Sequence, residues 1–232
     1  EEVIAETLGD SMHVFLLNIP RLEFAAIIPK GDYASVCLLG EAIDKELVDT
    51  FLHSEEVREC MPDDWAPDPR SCQCSPKIAI KGAIQPYGDR IVFVGDCGVT
   101  RLYKDGIGAA YKTAKACATT AVFKGVSEED FRRNYEPLLK SILRDNAIGK
   151  ATFSGTRIIQ ALPFARRAML RMTQKEQSIP GRHKDISQVL WEMFTGSAPY
   201  KDIFVRAMHP RFIGRLTWEL LVSVAPTGRS DS

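Results

Sequence analysis

The 232 residues are 45% hydrophobic and 26% charged, and 30 Lys+Arg balance 30 Asp+Glu to a formal net charge of zero. That composition excludes a disordered polar chain, a collagen-like repeat and a dense disulfide scaffold, and it predicts one large or two small soluble domains with a real hydrophobic core. The zero conceals a division, because residues 1–140 hold 16 Lys/Arg against 23 Asp/Glu whereas residues 141–232 hold 14 against 7; either the basic part meets an anionic partner such as lipid or cofactor phosphate, or the two parts attract each other.

The first forty residues read as strands. His13–Leu17 and Leu22–Ile28 are short apolar runs, and Lys30-Gly31-Asp32 before Tyr33–Leu39 has the chemistry of a tight β-hairpin. From Glu41 to Cys60, Ile43, Leu47, Val48, Phe51 and Leu52 recur at helical spacing and predict one amphipathic helix. Residues 61–76 contain four prolines and no period, which predicts an irregular crossing segment. Lys77–Ile84 alternates like a strand, and Arg90–Val94 is a continuous apolar run suited to a buried strand. The alanine-rich stretch from Gly106 to Lys124 predicts a helix ending at Gly125, and Ser127 followed by Glu128-Glu129-Asp130 marks the start of the next. After Gly149 the chain reads as helical over Thr152–Met172, Lys184–Thr195, Tyr200–Met208 and Arg211–Val224, with a frayed tail from Pro226.

Chemistry concentrates in Ile91-Val92-Phe93-Val94-Gly95-Asp96-Cys97-Gly98 and the Lys104-Asp105-Gly106-Ile107-Gly108 that follows. A strand delivers a carboxylate at its C-terminal end, and a glycine-rich helix start comes ten residues later. In open α/β architecture ligands bind at such places. An aspartate there accepts hydrogen bonds from sugar hydroxyls, and glycines at a helix start let N–H groups approach an anion or a polarised carbonyl.

The pattern resembles the second flavin-contacting motif of FAD-dependent oxidoreductases of the p-hydroxybenzoate hydroxylase fold, most closely the geranylgeranyl reductase family and its FixC-like electron-transfer relatives. Gly95-Asp96 stands where that family has Gly-Asp, and Lys104-Asp105-Gly106-Ile107 where it has Gly-Glu-Gly-Ile. A second echo is Phe24–Asp32, which looks like the family's sheet segment ending in Phe-Pro-Lys-Gly. The resemblance covers roughly residues 10–145. It implies that Gly95 and Asp96 bind FAD, with Asp96 on the ribityl hydroxyls, and that the backbone of Gly106, Ile107 and Gly108 faces the flavin pyrimidine edge. It further implies hydride transfer through flavin to or from an apolar substrate of isoprenoid, lipid or quinone type. Tyr103, Lys104 and Asp105 are the polar side chains nearest the implied flavin, as proton donors or as loop anchors. Two departures stand out: the loop Arg101-Leu102-Tyr103-Lys104 is about two residues shorter than the family's, so it either reaches the flavin differently or places a charged or aromatic side chain at the site. Ala26 and Ile28 occupy positions where the family's isoprenoid tunnel has aromatics.

No Gly-x-Gly-x-x-Gly with an acid about twenty residues on is present to grip the ADP half of FAD. The resemblance therefore makes the chain the C-terminal part of a longer flavoenzyme, its partner the N-terminal FAD-binding half of the same protein. Cys72-Gln73-Cys74 lacks a second pair or a histidine to complete a metal site, so no metal is expected. The histidines 13, 53, 183 and 209 are dispersed, and no hydrolase motif appears. Scattered cysteines, apolar runs far too short to span a bilayer and the absence of a signal segment point to a cytoplasmic setting. Phe164–Met172 and Arg211–Trp218 interleave arginine with apolar and aromatic residues; such helices lie on an anionic membrane surface, or pack on the acidic body with their arginines solvated. Stacking aromatics clustered with the basic residues are missing, so no nucleic acid is expected. The resulting expectation is an α+β chain: a partial substrate-domain sheet and helix over 1–90, a flavin-contacting strand–loop–helix over 91–145, and a helical domain over 146–232. The alternative is a non-catalytic fragment, or a membrane or partner module, that keeps the fold without FAD.

Overall fold

A computed structural model describes residues 2–62, 65–66, 74–78, 80–179 and 184–224. The fold is α+β, as expected, and it divides between Lys77 and Ile78 into two compact units.

Unit 1 holds α1 (Glu2–Thr7), β1 (His13–Phe15), β2 (Leu22–Lys30) and β3 (Tyr33–Gly40), the strands pairing antiparallel in the order β1-β2-β3. The predicted hairpin is present: Lys30 pairs with Tyr33 across the two-residue loop Gly31-Asp32. Gly31 has φ +73°, the conformation a type II′ hairpin asks of its first loop residue. Central β2 is buried from Leu22 to Ile27, and a Cβ on Gly40 would lie 2.0 Å from the Arg21 carbonyl oxygen, so β3 closes on β2 only through glycine. The single helix expected over 41–60 is instead two, α2 (Lys45–Leu52) and α3 (Glu55–Arg58). Asp44 starts α2 by accepting from Leu47 N at 2.9 Å, and the Arg21 guanidinium beside it holds its carboxyl below the usual carboxylate range. Ser54 ends α2 by donating its hydroxyl to the Phe51 carbonyl, so the break comes from local side-chain chemistry inside an uninterrupted apolar pattern. Leu47, Phe51, Leu52 and Val57 still pack on the sheet core, with Phe15 edge-on to Phe51 at 5.5 Å. Of the irregular 61–76 segment, residues 63–64 and 67–73, including Cys72, lie outside the described residues.

Unit 2 departs from expectation at its start. The described residues of 77–84 form no strand, and Arg90–Val94 is not a buried one. A two-residue β4 (Tyr87–Gly88) pairs with β5 (Ile91–Val92) about a turn at Asp89 and Arg90, and Ile91 is 61% exposed. A 3-10 turn follows at Gly95–Cys97, then α4 (Gly106–Phe123), α5 (Glu128–Asn134), α6 (Glu136–Ala161), α7 (Pro163–Ser178), α8 (Asp185–Thr195), α9 (Tyr200–Ala207) and α10 (Pro210–Val224). Ser127 and Asp130 form the expected capping box at α5, each side chain answering the other's backbone N–H. The helix expected over Thr152–Met172 is broken at Leu162, because Pro163 has no N–H for the ladder and begins α7. Nor does a boundary fall at 145/146 or 90/91: α6 runs unbroken through residue 145, and residues on both sides belong to unit 2. Its core joins Tyr87, Val99, Phe131, Tyr135, Leu139 and Ile142.

The charge division follows the structural one. Unit 1 carries 6 Lys/Arg against 16 Asp/Glu, and unit 2 carries 24 against 14.

Candidate functional site

Every residue that the flavin resemblance singles out in the Gly-Asp and Gly-Ile motifs lies in one turn and one helix start of unit 2. Gly95 turns the chain with φ +63°; its N–H donates to Thr113 Oγ1 at 2.9 Å, and a Cβ there would press on Ala110 Cβ at 3.3 Å. Thr113, fully buried, passes its own proton to the carbonyls of Ala109 and Ala110 and so ties the turn to α4. Gly98 closes the turn where any side chain would strike the Phe93 carbonyl, 2.5 Å away. Asp96 is left exposed on the outside of the turn, its Oδ1 3.9 Å from where a Cβ on Gly106 would stand. Carboxylate and helix start, ten residues apart in sequence, are thus neighbours.

The first N–H groups of a helix have no intrahelical acceptor. Asp105, in the left-handed region at φ 56°, takes that of Gly108 at 3.0 Å. Of the three backbone positions expected to face a flavin, Gly106 and Ile107 therefore offer N–H donors, and Gly108 N is already satisfied within the chain. Arg101 offsets the Asp105 charge with a 2.6 Å bond, which preserves the positive end of the helix dipole beside Asp96.

Of the two alternatives for the loop, the charged side chains turn away from the Asp96 side. Arg101, 6% exposed, donates to the carbonyls of Gly196 and Ala198 at 3.0 and 2.7 Å. Lys104 Nζ donates to the Glu192 carbonyl at 2.9 Å and lies 4.0 Å above the Tyr200 ring. Burial and the neighbouring Arg101 bring its pKa down to about 8. Tyr103 stands edge-on to Phe153 at 5.2 Å. Tyr200 donates its hydroxyl to the Leu102 carbonyl at 2.5 Å, and burial raises its pKa beyond the usual phenol range. Asn146 brackets the same loop, accepting from Leu102 N at 2.9 Å and donating to the Thr100 carbonyl at 2.8 Å. Tyr103, Lys104 and Asp105 are thus engaged as anchors of the loop, and the C-terminal helices are the bed on which it lies.

Arg101, Thr113, Asn146 and Tyr200 were not singled out by sequence reasoning. Asn146 alone left a signal, a lone amide on the apolar side of a helix.

α4 itself is uncovered on one side. Ile107, 90% exposed, begins a row continued by Tyr111, Ala114, Ala118 and Val122, while Ala109, Thr113 and Thr120 are buried on the opposite side. Lys112, Lys115 and Thr119, also exposed, flank this row. Phe93 and Val94, also exposed, bring the apolar surface up to the Asp96 turn. Among the described residues, no three His, Cys, Asp or Glu side chains gather as a metal site. Comparison of the chain with family models, curated proteins and solved structures found no match.

Proposed function

We propose that the chain is the C-terminal part of an FAD-dependent oxidoreductase of the geranylgeranyl reductase type, acting on an apolar isoprenoid, lipid or quinone-like substrate. The observation that carries the reading is the adjacency of Asp96 to the side-chain-free start of α4 at Gly106. Two features support a flavin nucleotide: an exposed carboxylate suits ribityl hydroxyls, and two N–H donors on a helix dipole suit a ring edge that gains negative charge on reduction. When bound, FAD supplies the two-electron chemistry. The chain's own residues would hold it: Asp96 would accept from the ribityl hydroxyls, Gly106 and Ile107 would donate to the pyrimidine edge, and Arg101, Lys104 and Asn146 fix the loop that leads to those donors.

The apolar row on α4 supports a partner. An N-terminal FAD-binding half of the same protein would enclose Ile107 and Tyr111 together with the flavin, removing from water the surface that α4 leaves open.

The test is the absorbance spectrum of the full-length protein, purified and then titrated with FAD. Flavin bands shifted from those of free FAD are expected, with Asp96→Ala weakening retention about tenfold or more, the loss of one or two charge-assisted hydrogen bonds. A full-length protein that takes up no flavin overturns the proposal in favour of a fold that has kept its shape without the cofactor.

A further inference from the structure

α7 and α10 pack together with their acids turned inward. α7 has one acid, Glu176, and α10 has one, Glu219. Glu176 is fully buried and receives Arg215 at 2.9 Å as well as the N–H groups of Ile186 and Ser187. Glu219 is buried and receives Lys175 Nζ at 2.5 Å. The buried side of α10 also holds Ser223, and among the described residues Glu219 Oε2 and Ser223 Oγ have no hydrogen-bond partner. Its outward side runs Ile213, Gly214, Thr217, Trp218, Leu221 and Val222, all exposed, Trp218 at 64% and Leu221 at 63%. Those six positions span half the helix circumference. A surface helix ordinarily hides its apolar side and wets its polar one. α10 buries Phe212 beside Glu219 and Ser223, and it leaves the larger apolar side chains Ile213, Trp218, Leu221 and Val222 exposed.

Both helices also expose cations. Lys175 stands beside Trp218 on a cleft of about 480 Å³ between the two helices, Arg211 is exposed at the start of α10 although 3.9 Å from Asp185, and Arg167 is exposed on α7. Neither helix presents a carboxylate outward.

We propose that the outer side of α7 and α10 is a membrane-docking face that lies on a bilayer containing anionic lipid. Charge complementarity selects this occupant: α7 and α10 together carry six Lys/Arg against two acids, both turned inward, which matches anionic headgroups, and an apolar row with a tryptophan matches the acyl boundary just beneath them. The helices lie on the surface, since none among the described residues is long and apolar enough to cross. This inference does not depend on the flavin reading.

Co-sedimentation of the full chain with vesicles of phosphatidylcholine, with and without one third phosphatidylserine, tests it. The mixed vesicles are expected to carry the protein down and the neutral ones to leave it in solution, with binding weakened by added salt. Arg167→Gln and Arg211→Gln should each lower the partition coefficient about fivefold, the loss of one cation near a charged surface. Trp218→Asp with Leu221→Asp, checked for retained helicity by circular dichroism, should lower it about tenfold or more. A second measurement is independent of those variants: with Trp65→Phe and Trp191→Phe, emission from Trp218 alone should shift to shorter wavelength on mixed vesicles. Absence of binding, equal binding to neutral vesicles, an unmoved Trp218 emission, or a double variant that binds as wild type overturns the proposal. So does a double variant that merely turns a dimer into a monomer.

Discussion

Asn146 and Leu102 are joined through a buried amide: the side-chain oxygen of Asn146 accepts the Leu102 N–H at 2.9 Å while its nitrogen donates to Thr100 O at 2.8 Å. The residue supplies one acceptor and one donor to a loop that has no sheet or helix of its own to satisfy it. Asn146→Ala leaves both backbone groups buried and unpaired, an expected loss of about 2–4 kcal/mol. Asn146→Asp keeps the acceptor but faces the Thr100 carbonyl with a second one, so it should not rescue. Urea unfolding of the three proteins orders them.

Gly149 lies in the middle of α6, where a Cβ would come within 2.6 Å of the Tyr200 ring. That ring is held between Lys104 and Phe153 and tied through its hydroxyl to Leu102, so it has nowhere to retreat. Gly149→Ala, which ordinarily favours a helix, should here cost about 1–3 kcal/mol. Thermal unfolding of the variant would show the sign directly: a higher midpoint would mean that the ring yields.

Lys104 makes a pH-dependent contribution of definite sign. Its folded pKa of about 8 lies below the ordinary 10.5, so between those values the unfolded chain binds the extra proton. Stability from this group accordingly rises as the pH climbs from about 8 toward 10.5, and its full penalty is present below 8. The buried phenols oppose it at the top of the range: Tyr135, pushed up to about 12, and Tyr200, also raised, release their protons more readily when unfolded, which lowers stability above 10. Subtracting the denaturation profile of Lys104→Met from that of wild type isolates the lysine. A difference that stays flat between pH 8 and 10 would show that the ammonium is not penalised.

Glu176 joins three helices from within α7, capping the start of α8 and pairing with Arg215 of α10. Its carboxylate acts as a remote N-cap for the helix Asp185–Thr195, with the dipole and two N–H groups as partners. Glu176→Ala should cost about 2–4 kcal/mol, since it leaves the N–H groups of Ile186 and Ser187 without their acceptor and takes from Arg215 one of its two carboxylates, Asp185 remaining at 2.8 Å. Glu176→Gln should fall between, keeping an oxygen for an N–H but no charge for Arg215. Guanidinium chloride midpoints would separate the three.

Local signals carried well where local chemistry decides the structure. The Gly31-Asp32 turn, the Ser127 cap and the helices beginning near Asp185, Tyr200 and Pro210 are all set by residues a few positions apart. Arg90–Val94 was misread because hydrophobicity reports that a surface needs cover, and a strand buried by its own sheet looks the same as one left open to a partner. The split between α2 and α3 was missed because Ser54 interrupts the hydrogen bonds without interrupting the apolar period. Although the buried strand expected to deliver Asp96 is a two-residue one with Ile91 exposed, the pairing of Gly95–Asp96 with Gly106–Gly108 was legible in the motif order. Its support was not, because Arg101 and Lys104 look like solvated loop charges until Gly196 and Ala198, some ninety-five residues later, supply the carbonyls that draw them inward.

The coincidence of the charge division with the border at Lys77 has a practical consequence. At pH 7 the whole chain sits at its isoelectric balance, where colloidal repulsion is weakest and precipitation easiest. A cut after Lys77 would yield two polypeptides of formal charge −10 and +10, each well away from that balance and retained by opposite ion exchangers. Each half should therefore resist precipitation at neutral pH better than the intact chain does.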